Sequence, residues 1–177
     1  MKDLILLTLS PWLLAIHPAS VEALTSRTVA QTDHVIAQAG RTYIGLRYRD
    51  LPRGLTSLGG WMLTPQRGTE YGVSVVQRGN QRMLWLERLI DRDAQGRASW
   101  EVRDVLLLPA IPQNFDLAQG WCELNRRADA RIVAIARYQN SEYSTQIRRA
   151  WRANWQRERF EEMPTRGIRC QNPGFGV

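Results

Sequence analysis

The sequence contains little histidine and little cysteine. Its 177 residues include two histidines, His17 and His34, and two cysteines, Cys122 and Cys170. Zinc sites use three or four ligands drawn mainly from these two residue types, so zinc is excluded in practice. A Ser-His-Asp or Cys-His centre has almost no histidine to use, and no G-x-S-x-G motif accompanies one. No C-x-x-C motif and no phosphate-binding loop occur either. The sequence therefore predicts no catalytic residue, no metal and no cofactor.

Long apolar runs are also missing. The longest begins at Ile5, is interrupted by Ser10-Pro11 and ends before His17-Pro18. It is too short for the ~20 residues that a membrane-spanning helix needs. An apolar run of this length, followed by a small-residue exit at Val21-Glu22-Ala23, is typical of a secretory signal peptide. We expect residues 1–23 to be removed on export, leaving a mature chain without a membrane span. A retained anchor or a buried core helix is the alternative.

Export decides the expected state of the two cysteines. An even pair in an oxidising compartment usually forms a structural disulfide. We therefore expect a bridge between Cys122 and Cys170. It would close a loop of about 48 residues and contribute roughly 4 kcal/mol in the chain-entropy model. Two separate buried thiols are the alternative.

Lysine is nearly absent, whereas arginine is abundant. Lys2 is the only lysine, and the net charge is +7. Arginine offers planar, bidentate donors that suit carboxylates, phosphates and aromatic faces. A coding bias towards arginine and a selected anion-binding surface both explain this composition. Nucleic acid is the usual partner of so basic a chain, but export argues against it, as does the lack of a block of five or more like charges.

The pattern after the leader predicts a sheet. Residues 24–41 are polar and are expected to form a linker or a short helix, and residues 42–177 have the size of one domain. Apolar alternation and short turns predict an antiparallel β-meander, with one more strand after it. The meander strands are Tyr71–Gln77, Met83–Ile90, which is apolar on both faces and therefore central, and Trp100–Leu108; the later strand is Arg131–Tyr138.

A helix is expected after the last of these strands. Asn140 or Ser141 can cap it. Apolar residues recur every four positions from there, which predicts an amphipathic helix from about Tyr143 to Arg159. These residues are Tyr143, Ile147, Trp151 and Trp155. The expected fold class is therefore α+β, a meander with a C-terminal strand, one packed amphipathic helix and one disulfide, in a single domain over residues 42–177.

The same helix carries the candidate binding site. On a helix, three arginines would lie within about 40° of one another, a fourth would flank them, and Trp155 would lie at the edge of the apolar stripe. The arginines are Arg148, Arg152 and Arg159, with Arg149 at the flank. Such a face could bind a protein or an acidic envelope component. An ordinary solvated face of a surface helix is the alternative.

Two other sequence patterns are weaker evidence for a functional site. Asp91–Gly96 begins like a calcium loop, but Gln95 and Val102 stand where such a loop needs ligands, which favours a plain turn. Glu161 and Glu162 could in principle do glycosidase chemistry, but adjacent acids are typical of a solvated segment.

The C-terminal third resembles small exported proteins of cyanobacteria that have no assigned activity. The residues that carry the likeness run from Arg149 to Asn154, from Phe160 to Thr165 and from Gly167 to Asn172. The resemblance implies a periplasmic or thylakoid-lumen location and carries no catalytic residues across. The expected function is that of a non-enzymatic accessory or binding protein that uses an Arg/Trp surface. The alternative is a small-ligand carrier, or an enzyme, with a pocket between sheet and helix.

Overall fold

The computed structural model describes residues 42–63 and 69–175. The expected signal peptide, residues 1–23, and the expected linker, residues 24–41, lie outside the described residues. Every regular element within them is a β-strand, and no helix occurs there. The α+β prediction is therefore wrong, because the described part is about 57% strand in three antiparallel sheets.

Thirteen strands make up these sheets. In chain order they are β1 (Arg47–Tyr48), β2 (Thr56–Met62), β3 (Tyr71–Arg78), β4 (Gln81–Arg92), β5 (Ala98–Leu107), β6 (Phe115–Gln119), β7 (Cys122–Leu124), β8 (Arg127–Ala128), β9 (Ile132–Arg137), β10 (Tyr143–Ser144), β11 (Ile147–Asn154), β12 (Arg159–Met163) and β13 (Ile168–Gln171). The first sheet has the order β1-β5-β4-β3-β2, the second β12-β11-β9-β6 and the third β10-β13-β7-β8.

The predicted meander is present as β3, β4 and β5 in the first sheet. Tight turns join these strands, so that β3 pairs with β4 and β4 with β5, each antiparallel. β4 lies in the middle, as its two apolar faces predicted: Leu84 and Leu86 enter one core, and Met83 and Trp85 another. The strand predicted at Arg131–Tyr138 is present as β9.

The second sheet is the middle layer of the described part. Its β9 buries five consecutive residues, Ile132 to Ala136, because both of its faces are covered. Val133 and Ile135 join a core with the first sheet, whereas Ile132 and Ala134 join one with the third. Burial on both faces explains why the sequence here is a continuous apolar run rather than an alternating one.

A segment before β2 covers the outer face of the first sheet. Tyr43, Leu46, Tyr48, Leu51 and Leu55 pack there around the fully buried Trp85. The rings of Tyr43 and Trp85 have centroids 5.0 Å apart. The first sheet is thus covered on both faces, like the second.

The predicted helix from Tyr143 to Arg159 is replaced by β10, β11 and the start of β12. Trp151 and Ala153 face the core of the first two sheets, and Ala150 faces the core of the second and third. The pairing of β11 with β9 slips between Ile147 and Arg149, which leaves Arg148 as a bulge. Trp151 is buried, as the apolar stripe predicted, but in a strand.

The predicted disulfide is confirmed. Cys122 on β7 and Cys170 on β13 are directly opposite each other in the third sheet and are bonded. Both are fully buried in the core that joins the second and third sheets. Among residues 42–63 and 69–175, no helix has the length and apolar character needed to cross a bilayer.

Candidate functional site

The five residues predicted as a binding face do not lie on one face. Arg149 binds Glu162 through two hydrogen bonds of 2.9 Å, and Arg159 donates to Glu161 at 2.9 Å. Arg148 is exposed and pairs with no acid among the described residues. Arg152 and Trp155 instead line a cavity. The helical grouping of these arginines is therefore wrong, but two of the five residues share a site.

This cavity, here called the arginine cavity, has a volume of about 500 Å³. It lies where the end of β11 and the turn after it meet β8 and the segment that leads into β9. Its charged lining consists of Arg127, Asp129, Arg131 and Arg152, and Trp155, Leu63 and Leu124 supply the large apolar side chains. The volume is in the range of small-molecule sites, which is roughly 300–1,000 Å³.

Asp129 is the acid in this lining, and Arg131 holds it tightly. The Arg131 Nε and Nη2 atoms donate to the two carboxylate oxygens of Asp129 at 2.7 and 2.9 Å. Burial opposes ionisation of Asp129, but the hydrogen bonds and charge of Arg131, together with the charge of Arg152, outweigh it and hold the Asp129 pKa below its usual value. Arg131 and, at longer range, Arg152 share this one acid, so the three arginines and one aspartate of the lining leave two positive charges in excess.

Arg127 and Arg152 keep unused hydrogen-bond donors. The Arg152 Nη2 atom lies 3.3 Å from Asp129 Oδ2, yet the guanidinium of Arg152 makes no hydrogen bond among the described residues. Its Nε atom is buried and has no hydrogen-bond partner in the part of the chain that the structure describes. Arg127 has neither an ion pair nor a hydrogen bond from its side chain there. Leaving a buried donor without a partner costs about 1–3 kcal/mol of stability. A hydrogen-bond acceptor that reached the guanidinium of Arg152 would therefore bind favourably.

The acceptors around the cavity are, by contrast, already used. Three consecutive backbone carbonyls line this stretch, and each accepts a hydrogen bond from elsewhere in the fold. The Trp61 indole donates to Ala130 at 2.8 Å, Ala153 to Arg131 at 2.8 Å, and Ile132 to Asp129 at 3.0 Å. A lining with free donors and occupied acceptors favours a ligand that is rich in acceptors, which is the property of an oxyanion.

Two other polar clusters are consistent with structural roles. The Glu87 carboxyl is 2% exposed and accepts hydrogen bonds from Tyr48 and, at 2.6 Å, from Ser74. Burial raises the pKa of Glu87, and these two bonds only partly offset it. No lining residue of the arginine cavity belongs to this cluster. Glu87, on β4, instead ties Tyr48 of β1 and Ser74 of β3 together within the first sheet.

The second cluster joins the first sheet to the turn after β11. Arg103 Nε donates to Glu158 at 2.7 Å, and the Tyr71 hydroxyl donates to the same carboxylate at 2.7 Å. Arg88 binds Glu101 at 2.5 Å. Each arginine here has an acid, so the cluster leaves no free charge for a ligand.

Sequence reasoning missed Arg127, Asp129 and Arg131. They lie in and after β8, a two-residue strand that is too short to show any periodicity. The available signal was local: the charged stretch Arg126-Arg127-Ala128-Asp129-Ala130-Arg131, directly before the apolar run of β9. The predicted site therefore contained the β11 side of the cavity but not the β8 side.

The calcium-loop pattern is a turn, as the sequence favoured. Asp93 accepts hydrogen bonds from the backbone of Gln95 and Arg97 and pairs with the Arg97 side chain. Across residues 42–63 and 69–175, no group of three or more His, Cys, Asp or Glu side chains is placed to hold a metal ion. Glu161 and Glu162 pair with different arginines, Arg159 and Arg149.

Comparison of the chain with protein-family models, with curated proteins and with solved structures found no match. The functional assignment therefore depends on the chemistry of the arginine cavity.

Proposed function

We propose that this protein is a non-enzymatic binding protein that holds an acidic group at the arginine cavity. The observation that carries the proposal is the positive charge of Arg127 and Arg152, which line one cavity together with Trp155. Among the described residues neither guanidinium donates a hydrogen bond, and the ion-pair partner of Arg152, Asp129, is already bound by Arg131. Arginine binds carboxylates and phosphates through paired donors, and an aromatic neighbour adds apolar contact. The acidic group would belong to a protein or to an envelope component.

Export to the periplasm or the thylakoid lumen is part of the same proposal. The leader-like residues 1–23 support it, and so does the bond between Cys122 and Cys170, since disulfides persist in oxidising compartments. The likeness of the C-terminal third to small exported cyanobacterial proteins points the same way.

A small-ligand carrier is the second candidate, and the cavity volume of about 500 Å³ favours it. The enzyme alternative has less support among the described residues. The acid whose pKa is raised there, Glu87, is 2% exposed, so a substrate has no direct access to it.

A charge-matched pair of variants tests the proposal. Arg127→Gln with Arg152→Gln removes two positive charges from the cavity. Arg148→Gln with Arg157→Gln removes two from exposed positions outside it, since Arg148 is exposed and the Arg157 side chain is 65% exposed. Capture of partners from an envelope extract would be compared at about 0.15 M salt, where long-range attraction between exposed charges is largely screened.

We expect the cavity variant to lose an acidic partner that the wild type and the control variant both capture. Melting temperatures of all three proteins would show that each is folded. Equal losses in the two variants would mean that net charge, and not the cavity, governs binding. A loss confined to the control variant would place the binding surface elsewhere.

A further inference from the structure

We infer that the arginine cavity takes a small organic acid: a carboxylate or phosphate head on a flat, apolar body. This inference rests on the proposed binding of an acidic group at this cavity, and it develops the second candidate, a small-ligand carrier, to one ligand chemistry. It depends on two features of the cavity, the presence of both arginine donors and large apolar side chains in its lining, and its volume.

The head group follows from charge and hydrogen bonding. Asp129 offsets one of the three arginine charges of the lining, through two hydrogen bonds from Arg131 and an ion pair with Arg152, which leaves two positive charges in excess. The planar guanidinium matches two oxygens of one head group, a property that carboxylate and phosphate share. The Trp155 indole nitrogen makes no hydrogen bond among the described residues and adds a further donor.

The body follows from the size and composition of the cavity. A volume of about 500 Å³ is far larger than the space that one water occupies in the liquid, about 30 Å³. A bare inorganic anion would therefore leave most of the cavity to solvent. Leu63, Leu124 and Trp155 supply large apolar side chains to the lining, which an apolar body would contact. Trp155 lies next to Tyr71, with ring centroids 6.0 Å apart, so its position is constrained by packing. Aromatic side chains favour flat partners in offset or edge contacts.

A set of five probes distinguishes the contribution of the acidic head group to binding from that of the apolar body. Calorimetric titration of the full chain would use 2-naphthoate, 2-naphthyl phosphate, the neutral analogue 2-naphthamide, acetate and inorganic phosphate. We expect one of the two naphthyl acids to bind at least about tenfold more tightly than 2-naphthamide, acetate or inorganic phosphate. The better of the two naphthyl acids identifies the head group.

Three variants connect the affinity to the cavity. Arg152→Gln should weaken binding of the preferred naphthyl acid by about 10- to 100-fold, because it removes a charge-assisted hydrogen bond. Arg157→Gln is the matched control and should leave the affinity unchanged. Trp155→Leu should reduce the difference in affinity between the naphthyl acid and acetate. Melting temperatures would show that each variant is folded.

The outcomes distinguish this inference from the proposed function. If acetate or inorganic phosphate binds as tightly as its naphthyl counterpart and depends on Arg152, the anion site stands and the apolar body is wrong. If no probe binds although capture of an acidic partner depends on Arg127 and Arg152, the proposed function stands and the small acid is wrong. Binding of 2-naphthamide as tight as that of the better naphthyl acid, or no binding in either experiment, overturns both.

Discussion

Glu87 and Arg152 differ in exposure and in how far their hydrogen-bonding groups are satisfied. Glu87 is buried with two hydrogen-bond partners, Tyr48 and Ser74, which suits a group that ties two parts of the structure together. Arg152 is 32% exposed, faces a cavity and makes no hydrogen bond among the described residues. Satisfied buried groups are typical of structure, whereas unsatisfied groups at a cavity are typical of binding sites. This contrast is the basis for assigning function to one and not to the other.

The burial of Glu87 predicts a specific dependence of stability on pH. Burial raises the pKa of Glu87 above its usual value in the folded state, so ionisation of the buried carboxyl destabilises the protein as the pH rises through the folded-state pKa. Glu87→Gln does not titrate and keeps an oxygen that can accept from Tyr48. We expect the variant to match the wild type at pH 4 and to be more stable at pH 8, as measured by urea unfolding. Parallel stability curves over this range would contradict the raised pKa.

β11 shows why the helix prediction failed. Residues four apart lie on the same face of a helix, but they also lie on the same face of a strand, because four is an even number. The spacing of Tyr143, Ile147, Trp151 and Trp155 therefore did not discriminate between the two. The bulge at Arg148 then breaks the strand alternation, so even a strand reading of the spacing would have placed Ile147 wrongly.

Other elements were predictable where the pattern was long and regular. The strands of the meander, β3 to β5, have 8 to 12 residues each and clear turns between them. The strands of the third sheet have two to four residues, which is less than the length over which alternation can be recognised. The cavity borders this third sheet. The residues that β8 contributes to the cavity could therefore not be predicted from the sequence, for the same reason.

The strand arrangement of β11 predicts opposite behaviour for two neighbouring side chains. Trp151 is 3% exposed in the core between the first two sheets, whereas Arg148 is exposed on the bulge. Trp151→Ala should lower the free energy of unfolding by about 3–5 kcal/mol. Arg148→Ala should change it by no more than about 0.5 kcal/mol. Denaturant unfolding measures both, and similar effects of the two substitutions would contradict the burial pattern.

At the scale of the whole molecule, the disulfide connects segments that are distant in the chain. Cys122 and Cys170 are 48 residues apart, and the segment between them contains all of β8 to β12. The bond therefore restricts most of the second and third sheets in the unfolded chain. It also ties together the two strands of the third sheet that lie nearest the middle layer.

Loss of this bond should reduce the stability of the protein markedly. Cys122→Ala with Cys170→Ala is expected to lower the free energy of unfolding by about 4 kcal/mol, from the loop that the bond closes. Addition of a reductant should lower the melting temperature of the wild type and leave that of the double variant unchanged. A double variant as stable as the oxidised wild type would show that the bond adds nothing to the fold.

Recognition of an acidic group in the arginine cavity is tested most directly by nuclear magnetic resonance of the arginine side chains. The Nε–H signals of ¹⁵N-labelled protein would be followed during titration with 2-naphthoate at about 0.15 M salt, where exposed charges are screened. We predict saturable shifts at Arg127, Arg152 and the Trp155 indole, with Arg148 and Arg157 unchanged, because only the first three line the cavity. Shifts confined to Arg148 and Arg157, or spread evenly over the exposed arginines, would contradict recognition of the acidic group in the arginine cavity.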